Sequence, residues 1–410
     1  MKKDKITIGV ITFYKTANFG ANLQAISTYK YLENQGFKPI FINYMSEDTH
    51  SKYEYLKSTI DWKLHIEVVD EIIKNQTEWC CNTEQLLIAI EKYGIDAIII
   101  GSDALLQHHT IISRVRKGKR KPLYLVPVGK DRLFPNLFWG CGFSDKLPVG
   151  MLSVSSQNSS YTTFSFFLKY RMRKALRNLR YISVRDTWTL NMINCIDKHL
   201  NVTKTPDPVF GFNYNASDLI PNKTDIMSRY RLPDRYLLVS LFGQNLNFKV
   251  LSDLKKLLAE QGIFCVSLHM PTGKPYEHPF EFEIKAPLSP LDWYALIKYS
   301  YGYVGNNMHP IVVSLHNAVR CFSIDNWGRQ NFLGHKIDDG SSKIEDVMGD
   351  FGVLTNHRMV DNGICNVSAE EIVKSLMSFP VEDVKKKSKD FYEAYKINMF
   401  NLIQSLVNKR

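Results

Sequence analysis

Apolar and polar positions along this chain fall into two series of the same kind. Residues 5–13, KITIGVITF, make a β-branched apolar run of the length expected for a strand buried on both faces. The polar loop YKTANFGAN follows, and then LQAISTYKYLENQG sets Leu23, Ile26 and Leu32 at helical spacing before Gly36 supplies a stop. KPIFINY is the next strand, completing a β-loop-α-β unit of the sort that builds doubly wound sheets. After a helical stretch near 60–95 the alternation resumes: strand DAIIIGSD, strand VGMLSVSSQN, a helix over about 164–180, strand YISV, and a helix opening at RDTWTLNMI. Residues 211–232 are polar, contain proline and hold no sustained period, so they read as an interdomain linker. A second series then runs RYLLVSLFG, helix 249–261, IFCVSLH, helix 290–299, GYVG, helix 309–317, VRCFSID. The expected architecture is α/β: a Rossmann-like domain over 1–210, the linker, and a second such domain over 233–380. A long amphipathic helix within 381–410 packs back on the body. The two domains would face a cleft, where open parallel sheets bind ligands at the carboxyl ends of their strands.

Composition supports this reading. The chain has 410 residues, which at roughly 150 per domain suits two or three domains. Hydrophobic residues make up 44% and charged residues 23%, enough for sizeable cores. No apolar run reaches the roughly 18 residues of a membrane span. The start MKKDKITIGVITFY is basic and then apolar, but Asp4 interrupts it and no small-residue cleavage site follows, so a first strand is expected rather than a leader. The seven cysteines are odd in number and include no C-x-x-C pair, which points to a reducing cytoplasm with neither a disulfide framework nor a metal site.

The net charge of +11 is concentrated in two runs. RVRKGKRK (Arg114–Lys121) reads as an exposed loop. KYRMRKALRNLRY (Lys169–Tyr181) reads as a helix with Met172, Leu176 and Leu179 on one face and Arg171, Arg173, Lys174 and Arg177 around the others. Such runs are either solvated surface or sites of attraction for an anion: a phosphorylated substrate, a lipid diphosphate or an acidic membrane face. Nucleic acid is not expected, because no zinc-finger, RNA-recognition or basic-zipper signature accompanies the charge.

Four strand ends carry the candidate chemistry. TANFGAN holds Asn18, Gly20 and Asn22, where a glycine and a helix N-terminus suit an anion; the same residues also suit a capped turn. The stretch is neither G-x-G-x-x-G nor a P-loop. IIIGSD ends in Asp103, placed to orient a hydroxyl, accept a proton or cap a helix. ISVRDT offers Arg185, a fork for carboxylate or phosphate or else the partner of Asp186 or Asp207. The stretch VGNNMHPIVVSLHNAVRCFSID places Asn306, Asn307 and His309 on a strand-to-helix tip. There the ring could serve as acid, base or phosphate donor, or as a structural group. His316 falls on nearly the same helical face and is expected to be packed.

Taken in order, GVITFYKTANFGANLQAISTYKYLENQGFKPIFINY, IIIGSDALLQ, YISVRD, PDPVF and VGNNMHPIVVSLHNAVRCFSID resemble the polysaccharide pyruvyl transferases across about residues 5–330. The resemblance implies a GT-B-like fold and transfer of the pyruvyl group of phosphoenolpyruvate to a sugar. The product would be a pyruvate ketal bridging two hydroxyls, with phosphate released and no cofactor or metal required. It further implies a glycan acceptor, for which a lipid-linked bacterial surface-glycan precursor is the expectation. The cysteine usage and the basic runs add the expectation of a cytoplasmic protein that could sit on the inner, anionic face of the membrane. His309 aligns with the family's proposed acid and Arg185 with its donor-holding arginine. Arg329, in NWGRQNF, falls where a further donor-binding basic residue tends to occur, and Asp103 aligns with the acid of the GSD motif. Many members carry arginine two residues before the histidine, where this chain has Asn307. Three outcomes follow: other cations compensate, the donor differs, or the protein binds glycans without turnover. A GT-B glycosyltransferase using a nucleotide sugar is the other enzymatic reading.

Overall fold

A computed structural model describes residues 5–57, 59–117, 122–270, 275–333, 335–361 and 363–408. The chain builds two parallel six-stranded sheets and one small antiparallel pair. The first sheet contains β1 (Thr7–Ile11), β2 (Lys38–Ile42) and β3 (Ala97–Asp103). The antiparallel pair is β4 (Val115–Lys117) with β5 (Leu123–Leu125), after which β6 (Val149–Val154), β7 (Tyr181–Val184) and β8 (Thr203–Lys204) complete the first sheet. The second sheet contains β9 (Tyr236–Ser240), β10 (Phe264–Leu268), β11 (Phe282–Ile284), β12 (Gly302–Gly305), β13 (Arg320–Asp325) and β14 (His357–Met359). Their orders are β2-β1-β3-β6-β7-β8 and β11-β10-β9-β12-β13-β14. The central strands β1, β6, β9 and β12 are buried at every position, as helices on both faces require.

Each sheet reverses its strand order once, between β1 and β3 in the first and between β9 and β12 in the second. Crevices open at such switch points, beyond the carboxyl ends of the strands. The helix Phe19–Asn34 starts from the first of them. It is capped by Asn18, whose side chain accepts from the Ala21 amide at 3.2 Å, and it is buried on nearly all sides because the second domain covers it. Phe19 stacks on Trp293 of the second domain with centroids 4.7 Å apart and planes 8° from parallel.

Segment 211–232 is ordered and packed. It forms the short helices Phe212–Asn215 and Lys223–Arg229, buries Phe212, Ala216 and Ile226, and pins Arg229 to Asp292 at 2.6 Å. Hydrophobic residues with no periodic spacing do this work, which is why no element was visible in the pattern. The stretch expected to be an exposed basic loop is structured over Arg114–Lys117, as the end of the helical turn Ile111–Arg114 and then β4; residues 118–121 lie outside the described set. The terminal helix Val381–Val407 returns from the second domain to the first. Ser388 donates to the His316 carbonyl at 2.7 Å, Asn398 accepts from the Tyr181 hydroxyl at 2.8 Å, and Leu402 lies over Gly150 of β6 so closely that a Cβ there would come within 2.5 Å of it. No described helix is long and apolar enough to cross a membrane.

Candidate active site

The two switch points face each other across a cavity of about 520 Å³. The first domain lines it with Asn18, Phe19, Gly20, Asp103, Gln107 and Arg132, the second with Phe242, Asn307, His309, Trp327 and Lys343. His309 is the second residue of helix Met308–His316. Its ring lies flat against the backbone of Gly20: a Cβ at position 20 would sit 2.0 Å from the His309 Cγ and 2.1 Å from Nδ1. The glycine that the sequence offered for close ligand approach thus makes room for a histidine from the other domain. The buried Nε2 finds no hydrogen-bond partner among the described residues. Burial, and then the neighbouring Arg185 guanidinium, push the ring down to about 3, with Asp103 opposing, so the imidazole is neutral at pH 7.

Asp103 ends β3 with φ at 121°, a left-handed conformation that costs on the order of 1–3 kcal/mol for a non-glycine residue and that clusters at functional sites. Its carboxylate accepts from the Ala104 amide at 2.7 Å and lies 3.5 Å from Arg185 Nη2. Arg185 stands behind His309 rather than on the wall of the main cavity. It is buried, pairs with Asp207 at 2.6 Å, and leaves Nε and Nη2 without hydrogen-bond acceptors among the described residues. It opens instead on an adjoining cavity of about 270 Å³.

Lys343 lines both cavities. It is the first residue of helix Lys343–Phe351, whose cap Ser342 is anchored by its hydroxyl to the Asp325 carboxylate at the end of β13. Asp325 also accepts from the Trp327 amide at 2.7 Å, and the Lys343 Nζ sits 4.7 Å from the Trp327 ring centroid. Among the described residues no carboxylate pairs with this Nζ. Burial and then Arg185 bring its pKa down to about 8, so at neutral pH it is a cation facing the cavity. Sequence reasoning did not single it out. The S-x-x-E pattern at Ser342–Glu345 signals a helix start, but it says nothing about which cavity that start meets.

The remaining candidates separate into groups. Asn307 lines the cavity and presents a buried Nδ2 with no partner among the described residues, so the position lacking the family arginine is still a hydrogen-bond donor. Asn306 is a brace: its Oδ1 accepts from the Phe242 amide at 2.9 Å and its Nδ2 donates to Asn245 at 2.6 Å. Asn22 is also turned away, donating to the Tyr14 carbonyl at 2.6 Å and meeting His65 Nδ1 at 2.6 Å. Asn18 caps the helix at the rim. Arg329 is not brought to the cavity; it pairs with Asp339 at 3.0 Å and lies 5.5 Å above the Trp188 ring of the first domain. His316 is packed against Phe210 with its ring nitrogens toward Asn213 and Ser388. No cluster of three or more metal-ligating side chains occurs among the described residues.

A family model for polysaccharide pyruvyl transferase matches residues 18–328, which takes in Asp103, Asn307 and His309 on the cavity wall. The chain belongs to the polysaccharide pyruvyl transferase family. No curated protein matches the chain. Among solved structures, it is similar to the UDP-GlcNAc 2-epimerase of Neisseria meningitidis bound to UDP-GlcNAc (TM-score 0.54, 11% identity, 97% of this chain and 99% of that one). It is also similar to the S. aureus MnaA protein with UDP (TM-score 0.53, 11% identity, 99% and 98%). At that identity the likeness concerns the fold, which is GT-B-like as expected, with the long C-terminal helix. Lys343 lies beyond the matched residues.

Proposed function

We propose that this family member transfers the pyruvyl group of phosphoenolpyruvate to a sugar of a bacterial surface-glycan precursor carried on a lipid, closing a ketal across two hydroxyls. The donor brings a carboxylate and a phosphate and needs fixed cations; the methylene carbon must gain a proton. Addition of that proton makes the neighbouring carbon electrophilic. One hydroxyl adds there and gives up its proton, phosphate departs, and the second hydroxyl closes the ring with loss of its own proton. The observation that carries this reading is the meeting of an unpartnered His309 Nε2 and the Lys343 cation in one cavity at facing switch points.

Lys343 and Asn307 take the donor's oxygens, and Arg185, fixed by Asp207, adds positive potential from behind. His309 is neutral in the free protein. The anionic donor, entering the same low-dielectric space, raises the affinity of the ring for a proton, which the ring then passes toward the methylene. Asp103, a lining residue from the first domain, orients or deprotonates the attacking hydroxyl. Incubation with phosphoenolpyruvate and a panel of glycan acceptors tests the reading: phosphate release must be matched by a product bearing a ketal methyl group in its NMR spectrum. Phosphate release with no ketal across the panel would reject it, and thermal stabilisation by a UDP-sugar and none by phosphoenolpyruvate would favour nucleotide-sugar chemistry instead.

A further inference from the structure

One face of the first domain exposes large apolar side chains that no described residue covers. Phe166 and Phe167, the first residues of helix Phe166–Arg177, are 76% and 77% exposed, their rings edge to face at 5.9 Å. The same helix fills the core with Met172 and Leu176, so the two phenylalanines are not needed for its docking. Beside them Ile111 and Ile112 are 70% and 74% exposed. The Thr110 and Thr163 hydroxyls, 2.8 Å apart, tie the turn that begins at Ile111 to the residues just before Phe166. Tyr170, one helical turn beyond Phe166, and Leu123 on β5 extend the exposed apolar surface. Contiguous exposure of this kind marks an interaction surface.

The charge along the stretch of sequence that carries this face is one-sided. Between Ala104 and Arg185 lie sixteen of the chain's 52 Lys and Arg residues but only two of its 41 Asp and Glu residues. That stretch holds more positive charge than the whole chain nets, and the remainder is slightly acidic. Arg173 and Arg177 are engaged with Asp197, but Lys117, Arg171 and Lys174 stand exposed. Aromatic and branched apolar tips set among cations are the composition of a surface that enters the headgroup layer of an anionic bilayer. A second copy of the chain is the poorer occupant, because a two-fold contact would press the two positive faces together.

We infer that this face docks on an anionic phospholipid bilayer, with Phe166, Phe167, Ile111 and Ile112 in the headgroup boundary and the surrounding lysines and arginines on lipid phosphates. Gln107 lines the cavity and Thr110 starts the docking turn, so the bilayer would lie beside the cavity. Only the corollary, that a lipid-carried sugar is presented there, rests on the pyruvyl-transfer reading.

The test is co-sedimentation of the full chain with phosphatidylcholine vesicles, with and without phosphatidylglycerol. Binding is expected only with the anionic lipid and should weaken as salt rises. The Phe166→Ser/Phe167→Ser variant should bind about tenfold or more weakly with an unchanged Tm, and Lys117→Glu/Lys174→Glu should also bind more weakly. Absence of binding to anionic vesicles, equal binding to neutral ones, or wild-type binding by the double serine variant would overturn the proposal. So would a wild-type dimer that this variant turns into a monomer. The vesicle assay contains no donor, so its result is independent of pyruvyl transfer. Ketal formation by the double serine variant on a water-soluble acceptor should equal that of the wild type; a loss there would place the phenylalanines in support of the active site and reject the membrane role.

Discussion

Gly20→Ala adds one methyl group at the contact on which the site depends. The new Cβ would stand 2.0, 2.1 and 2.2 Å from His309 Cγ, Nδ1 and Cδ2, where ordinary contact begins at 3.4 Å. The gap to be recovered is therefore about 1.4 Å, and the atoms concerned lie at the root of the imidazole rather than at the end of a flexible chain. Either the ring swings out of place or the two domains part, at the expense of the Phe19–Trp293 stack. Misplacing a catalytic group by about 1 Å costs roughly 100-fold in rate, or about 2.7 kcal/mol; overpacking adds on the order of 1–3 kcal/mol of lost stability. The expected outcome is a kcat at least about 100-fold lower and a reduced Tm. A double-mutant cycle isolates the cause: with His309→Ala already present, the methyl group meets no ring, so Gly20→Ala should then cost almost nothing further in Tm. Wild-type turnover and Tm in Gly20→Ala, or fully additive losses in the cycle, would refute the reasoning.

Other substitutions probe the charges and the scaffold. On the proposed function Lys343→Ala would remove a charge-assisted contact to the donor and should lower kcat/KM for phosphoenolpyruvate by roughly tenfold to a hundredfold. In the wild type kcat/KM should fall as pH rises through about 8, where Lys343 loses its proton, and Lys343→Arg should move that fall to higher pH; an unmoved profile would exclude Lys343. His309→Ala should abolish most turnover while Tm holds or changes little, because a neutral ring without an Nε2 partner leaves no charge behind. Arg185→Ala should lose both activity and stability, by about 3–5 kcal/mol in denaturant unfolding, since Asp207 would be left buried and unpaired. Gly150→Val should lower Tm by displacing Leu402 and loosening the terminal helix, with substrate binding less affected than stability.

Much of the framework was legible because strand and helix periods are local. β1, β3, β9 and β12 stand where apolar runs placed them, and the polar tips after them are the cavity walls. What escaped the sequence is long-range. The tight neighbour of Gly20 is a ring from the other domain, and no spacing within TANFGAN could announce it. Arg329 follows β13 as expected, yet the loop turns its guanidinium onto Asp339 and Trp188 instead of the cavity. Lys343 reaches the cavity because Asp325 anchors the cap of its helix, a tertiary contact across seventeen residues. Asn22 and Asn306 looked chemical by residue type; buried amides that brace loops have the same composition as amides that bind ligands.

His309 belongs to one domain and the space it fills to the other, and this ties its proton to the contact between the domains. The ring is held near a pKa of 3 only while the domains enclose it. Separation hydrates it, moves it away from the field of Arg185 and returns it toward 6.5, the ordinary imidazole value. By linkage, acidification favours the parted state and alkalinity the shut one in the absence of donor. The chemical shift of a single imidazole would therefore report how far the cleft stands open, and a bound anion would reverse the sign by letting the closed form keep the proton.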